Sequence, residues 1–178
     1  TAWHKAYEAD SVSIYGGILA LNRPVDMAVA QATKGVFLEV MVAPDFEPDA
    51  LAYLQERKNL RLLKLPAVGE AVSGRIPVLK PIYGGLLVQG QDNQLMDETK
   101  TRTVTQKEPD PALQADMEFA MKVVKHVRSN AIVLVKNSQT VGIGPGQPNR
   151  ITSLEIAVKK AGRQAVGAVL GSDAYFPF

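Results

Sequence analysis

The chain has 178 residues, of which 46% are hydrophobic and 21% charged, a balance that can build a packed core and excludes a disordered or collagen-like polymer. Lys and Arg number 20 against 18 Asp and Glu, a formal charge of +2, too even for a protein that coats nucleic acid, and aromatic residues at 6% leave little for base stacking. With no Cys there is no disulfide framework, thiolate metal site or cysteine nucleophile.

In chain order, residues 2–9 read as the end of a helix with Trp3, Ala6 and Tyr7 on one face. Residues 13–21 form a mostly apolar strand interrupted by Gly16 and Gly17, and Pro24 is expected to open a helix reaching about Lys34. Residues 36–42 are rich in β-formers and nearly continuous in hydrophobicity, as in a strand buried on both faces of a parallel sheet. Pro48 starts a helix carrying Ala50, Leu51 and Leu54, and residues 60–65 return to strand. Strand, helix, strand, helix, strand predicts a layered α/β unit over residues 1–66.

Residues 67–109 are loosely patterned, with short strands expected at 85–89 and 103–105, and read as an irregular connection. Asp110 then caps a helix with Pro111 in its first position, and Leu113, Met117, Ala120, Met121, Val124 and Val127 recur at helical spacing. Lys122, Lys125, His126 and Arg128 close that helix, cations where its dipole favours them. Strands at 131–135 and 140–143, a helix capped by Asn149 and running to about Lys160, and a buried strand at 166–170 complete a second α/β unit over residues 110–178. The segments Ile14-Tyr15-Gly16-Gly17-Ile18-Leu19 and Ile82-Tyr83-Gly84-Gly85-Leu86-Leu87 echo each other, but six positions are too few to establish a repeat.

The glycines of Gly142-Ile143-Gly144-Pro145-Gly146 fail as a dinucleotide fingerprint, because a third glycine would fall at Gln147 and no acidic residue follows at the required distance. What remains is a glycine-rich turn into a helix start with Arg150 in the first turn, either an anion or phosphate site or a tight turn with a surface arginine. Asn130 stands where a basic helix passes into an apolar strand. Its amide could recognise a carboxamide or amine, or simply serve a turn. Glu39, one carboxylate in an apolar strand, must be paired or functional if buried. His4 and His126 are too far apart in sequence for a local metal motif and read as solvated residues, and Asp173 reads as a turn residue after a strand. The longest apolar run is about half of the roughly 20 residues of a membrane span, so a soluble, cytoplasmic protein is expected. The start at Thr1 without Met and the apolar end 174–178 suggest a fragment of a longer protein.

At these same residues the sequence resembles the transformylase part of the bifunctional purine biosynthesis proteins, which join AICAR transformylase to IMP cyclohydrolase. The matching segments are residues 9–23, 39–44, 58–61, 84–89, 122–133, the glycine turn through Arg150, and 172–178, in order along the chain. The resemblance implies two partial cytidine-deaminase-like α/β units and a homodimer. It implies formyl transfer from 10-formyltetrahydrofolate, as co-substrate, to AICAR, giving formyl-AICAR; the family's cyclohydrolase domain, which makes IMP, is absent from these residues. It assigns Gly16, Asn130, Arg150 and Phe178 to the AICAR side, Glu39 and Ile151 to the folate side, and a catalytic, substrate-orienting role to Asn130. No metal, nucleic acid or membrane is implied. The family's lysine–histidine pair matches nothing in the chain, Asn149 stands for a usual Ser and Asp45 for a usual Gly, so the isolated chain is expected to be inactive. The alternatives are a non-catalytic nucleotide-binding or dimerisation module of the same fold, and, by fold analogy, a deaminase-like hydrolase, whose usual zinc site the absence of Cys disfavours.

Overall fold

The computed structural model describes residues 1–67, 77–96 and 99–176. Phe178, assigned to the AICAR side by resemblance, lies outside the described residues. The chain divides into two compact units, Thr1–Val72 and Ser73–Phe178.

The first unit runs α1 (Ala2–Ala9), β1 (Gly17–Ala20), α2 (Met27–Ala32), β2 (Leu38–Ala43), α3 (Pro48–Gln55) and β3 (Arg61–Lys64). Its sheet is parallel in the order β1-β2-β3, the alternation that the sequence predicts. The core gathers Trp3, Val25, Ala30, Leu38, Met41, Ala43, Phe46, Ala50 and Leu54, with the Trp3 indole N–H donating to the Ala32 carbonyl at 3.0 Å. Two expectations shift. Pro24 does not open α2, because Asp26 caps it by accepting from the Val29 N–H, while Val25 bridges to Phe46 as a short parallel ladder. Strand β2 is not fully buried on both faces: Leu38, Met41 and Ala43 are buried, whereas Val40 and Val42 are half-buried and their partners Ile18 and Leu63 on the flanking strands are exposed at 72% and 52%.

The second unit begins with an antiparallel hairpin, β4 (Pro77–Ile82) and β5 (Gly85–Gly90), every residue of which is exposed. Residues 103–105, expected as strand, form none. The rest is α4 (Pro111–Val124), β6 (Ile132–Lys136), β7 (Gln139–Gly144), α5 (Arg150–Ala161), a 3-10 turn (Gly162–Ala165) and β8 (Val169–Ser172). Asp110 accepts from the Leu113 N–H at 2.8 Å and Pro111 takes the first helical position, so α4 starts where its cap predicts. Its outer apolar residues, Leu113 and Met117, remain exposed. Strand β8 starts at Val169 rather than Val166, and both Val166 and Leu170 are exposed, because Gly162 at φ +54° leads into the 3-10 turn that uses up the intervening residues.

Here the sheet is antiparallel, in the order β7-β6-β8. Strand β6 is apolar from Ile132 to Val135 because each of its faces meets a helix. Ala131, Val133 and Val135 pack with Ala120 and Val124 of α4, whereas Ile132 and Leu134 pack with Ala157 and Ala161 of α5. Helix α5 lies so close to β7 that a Cβ added to Gly142 or Gly144 would sit 2.1 Å from the Ala157 carbonyl oxygen or 1.8 Å from that of Ser153. Backbone touches backbone there.

The echoed segments prove to be one turn used twice. In each, Tyr and Gly form the turn, the Gly has positive φ (Gly16 +74°, Gly84 +77°), and a strand starts at the next residue. One leads into a parallel sheet and the other closes a hairpin.

Candidate functional site

In the first unit, the turn before β1 carries Gly16. Its N–H donates to the Phe37 carbonyl at 2.9 Å, and a Cβ added to it would lie 3.5 Å from Glu39 Oε1. Gly16 and Glu39 are therefore neighbours at the entry to β1 and β2, with the carboxylate open to solvent. The burial inferred for Glu39 from its apolar flanks does not occur: it lies on the same strand face as buried Met41 and Ala43 but stands at the entry end of the strand, beside Gly16, where its side chain reaches solvent. Tyr15 and Phe37 stack beside them with ring centroids 4.9 Å apart.

In the second unit, the antiparallel arrangement brings the start of β6, the end of β8 and the first turn of α5 to one end of the sheet. Residues 20 apart in sequence meet there: Arg150 Nη2 donates to Asn130 Oδ1 at 2.7 Å. Asn130 Nδ2 in turn donates to the carbonyls of Gln147 at 2.9 Å and Pro148 at 3.1 Å. Ser153 Oγ donates to the Asn130 carbonyl at 2.8 Å. The Ser129–Asn130 peptide bond is cis.

Arg150 Nη1 donates to Ser172 Oγ at 2.9 Å and to Asp173 Oδ1 in a short ion pair. The side chains of Arg150 and Asp173 are only 9% and 19% exposed, so this is an enclosed pair rather than a surface arginine. Partial burial raises the Asp173 pKa, but hydrogen bonds from Ser129, Arg150 and the Ala131 N–H, with the guanidinium charge, outweigh it and hold the carboxyl at about 2 against an ordinary 3.8.

The sequence identified Asn130 and Arg150 separately, and the structure brings them together. Of the glycines between them, Gly142 and Gly144 give α5 its close seat on the sheet, and Gly146 uses its N–H on the Arg128 carbonyl at 2.7 Å. Asn149 caps α5 through the Ile151 N–H at 2.8 Å, and Ile151 itself is 47% exposed. Sequence reasoning missed Asp173, Ser172 and Ser153 as partners of the site. A short polar pair ending an apolar strand was the available signal for the first two. His4 and His126 are both exposed. Among the described residues no group of three or more His, Cys, Asp or Glu could hold a metal ion, and no helix is long and apolar enough to cross a membrane.

A family model described as AICARFT/IMPCHase bienzyme matches residues 1–160. Curated relatives are bifunctional purine biosynthesis proteins, PurH. That of Thermoanaerobacter sp. (strain X514) is 52% identical over 177 residues, that of Bacillus subtilis (strain 168) 49% over 176, and that of Ruminiclostridium cellulolyticum 47% over 177. In each case 99% of this chain is covered and 34% of the relative, so the chain spans about a third of the length of these relatives.

Proposed function

The chain belongs to the AICARFT/IMPCHase bienzyme family, and from that premise we propose that it forms part of the transformylase half of a bifunctional purine biosynthesis enzyme. In this reading a formyl group passes from 10-formyltetrahydrofolate to the amine of AICAR. A bond forms between the amine nitrogen and the formyl carbon, the bond from that carbon to the folate nitrogen breaks, the amine loses a proton and the folate nitrogen gains one.

The observation that carries the reading is the hydrogen bond between Arg150 and Asn130, which fixes an amide and a guanidinium side by side at the head of α5. A rigid carboxamide can hold a weakly nucleophilic amine against the formyl carbon, and the barrier falls because the positioning is complete before reaction. Asn130 is the orienting catalytic residue, with Gly16, Arg150 and Phe178 on the AICAR side. Glu39 and Ile151 fit the folate: one is an exposed carboxylate that can accept from ring N–H groups, the other an exposed apolar side chain that can meet a ring face. Proton transfer falls to residues outside this chain, so the 178 residues alone do not turn over. The full-length enzyme works as a cytoplasmic homodimer.

The test is formyl transfer by the full-length protein. Asn130→Ala and Arg150→Ala are each expected to lower kcat/KM by roughly 100-fold, the order of effect of removing one preorganised polar group from a reacting site, while IMP cyclohydrolase activity holds. Both variants within threefold of the parent would refute the assignment. The mutual satisfaction of Asn130 and Arg150 would equally suit a non-catalytic nucleotide-binding module, and a full-length protein that binds AICAR but transfers no formyl group would establish that alternative.

A further inference from the structure

Asn130 sits in a box of fixed polarity. A guanidinium only donates, and the Gln147 and Pro148 carbonyls only accept, so the amide can make all three contacts in one orientation alone, with Oδ1 toward Arg150. Turning it over would set donors against donors and oxygens against carbonyls. The two carbonyls belong to the backbone, so the guanidinium is the side-chain member of the box, and its aim decides how firmly Oδ1 is held.

That aim is set at the other end of the guanidinium. Nη1 is held by Asp173 and Ser172, and because the group is planar, fixing Nη1 fixes the direction of Nη2. Asp173 is itself anchored, accepting from the Ala131 N–H at 3.0 Å and from Ser129, while its own N–H donates to the Ala131 carbonyl at 3.4 Å. Its charge also compensates a guanidinium that is nine-tenths enclosed.

We infer that Asp173 is a positioning residue for the substrate site, aiming the Arg150 guanidinium so that it holds the Asn130 carboxamide in its single working orientation. The inference rests on the proposed reading of Asn130 as the substrate-orienting group. Asp173 touches no substrate; it acts through Arg150.

A mutant cycle in the full-length enzyme tests it. Asp173→Asn keeps the size and removes the charge, and should lower kcat for formyl transfer at least tenfold, with KM for the folate changed less than twofold and cyclohydrolase activity intact. In an Asn130→Ala background the same substitution should cost less than twofold, because the residue it positions is gone. Equal losses in the two backgrounds would overturn the inference and leave Asp173 a merely structural residue. Asp173→Glu, which keeps the charge on a longer arm, should show the same background dependence with a smaller loss, so the cycle can be read if the Asn variant folds poorly. If Asn130→Ala itself has no effect, the functional reading fails and this inference with it. If Asn130→Ala is impaired but Asp173→Asn is not, only the inference fails.

Discussion

Replacing Gly144 with Ala is the sharpest test of how α5 is held. The new Cβ would lie 1.8 Å from the Ser153 carbonyl oxygen, where real Cβ atoms do not approach within 3.0 Å, so the helix must withdraw by about 1.2 Å. The obstacle is helix backbone, which cannot rotate aside. Forcing extra volume into a packed contact costs about 1–3 kcal/mol. The retreat also pulls Ser153 Oγ away from the Asn130 carbonyl, at present 2.8 Å, adding roughly 1 kcal/mol for a lost hydrogen bond. A total of about 2–4 kcal/mol is a large part of the ~5–15 kcal/mol that holds a typical domain together. Urea unfolding of the chain, followed by circular dichroism, should show the loss as a lower midpoint. Gly90→Ala is the control, since nothing lies within 4 Å of its added Cβ and its backbone needs no positive φ. A Gly144→Ala loss below about 0.5 kcal/mol, the usual range for an innocuous surface change, would refute the argument that backbone contact sets the helix.

In the first unit, Arg57 ties the end of α2 to the loop after it, donating to Thr33 Oγ1 at 3.0 Å and to the Val36 carbonyl at 2.5 Å. Arg57→Ala should lower stability by about 1.5–3 kcal/mol, the range for hydrogen bonds to charged groups, measured by denaturant titration, with Arg57→Lys recovering only part of it. Asp173 has a folded pKa of about 2, below its ordinary 3.8, so its contribution to stability is fully present above about pH 4 and fades as pH falls toward 2. Acid titration of the unfolding midpoint should lose that component of its slope in Asp173→Asn; an unchanged slope would contradict the pairing. Asp116 accepts from the Asn137 and Ser138 N–H groups at 2.7 and 2.6 Å, pinning the β6–β7 turn to α4, and Asp116→Ala should cost about 1–2 kcal/mol by thermal melting.

The local signals in the sequence are strong wherever a side chain acts on its own backbone. Asp110 with Pro111, and Asn149, mark the starts of α4 and α5 because a cap is settled within three residues. The apolar run at 131–135 marks a strand, as the sequence predicts, and the structure buries it against a helix on each face. The same pattern overstates burial at β2, where Val40 and Val42 are only half-buried beside exposed Ile18 and Leu63, since hydrophobicity alone does not say what will cover a face. Strand direction in the second unit is equally invisible, because pairing β8 against β6 depends on contacts some 35 residues apart (Val135 with Val169). Asn130 and Arg150 could be picked out by their chemistry, yet the Asp173 pair that governs them is a product of that pairing and has no local signature.

Because alternate residues of β6 belong to different cores, the strand works as a party wall between α4 and α5. Side chains on a strand repeat every two residues, so inserting or deleting one residue in β6 would exchange the occupants of the two rooms. Valines shaped for the α4 side would then face α5, where Ala157 and Ala161 expect Ile132 and Leu134. Length in this strand is therefore constrained more tightly than composition. Val133 can change to another apolar residue of similar volume with little consequence, whereas losing any one residue of β6 would disturb both cores and the site at its head together.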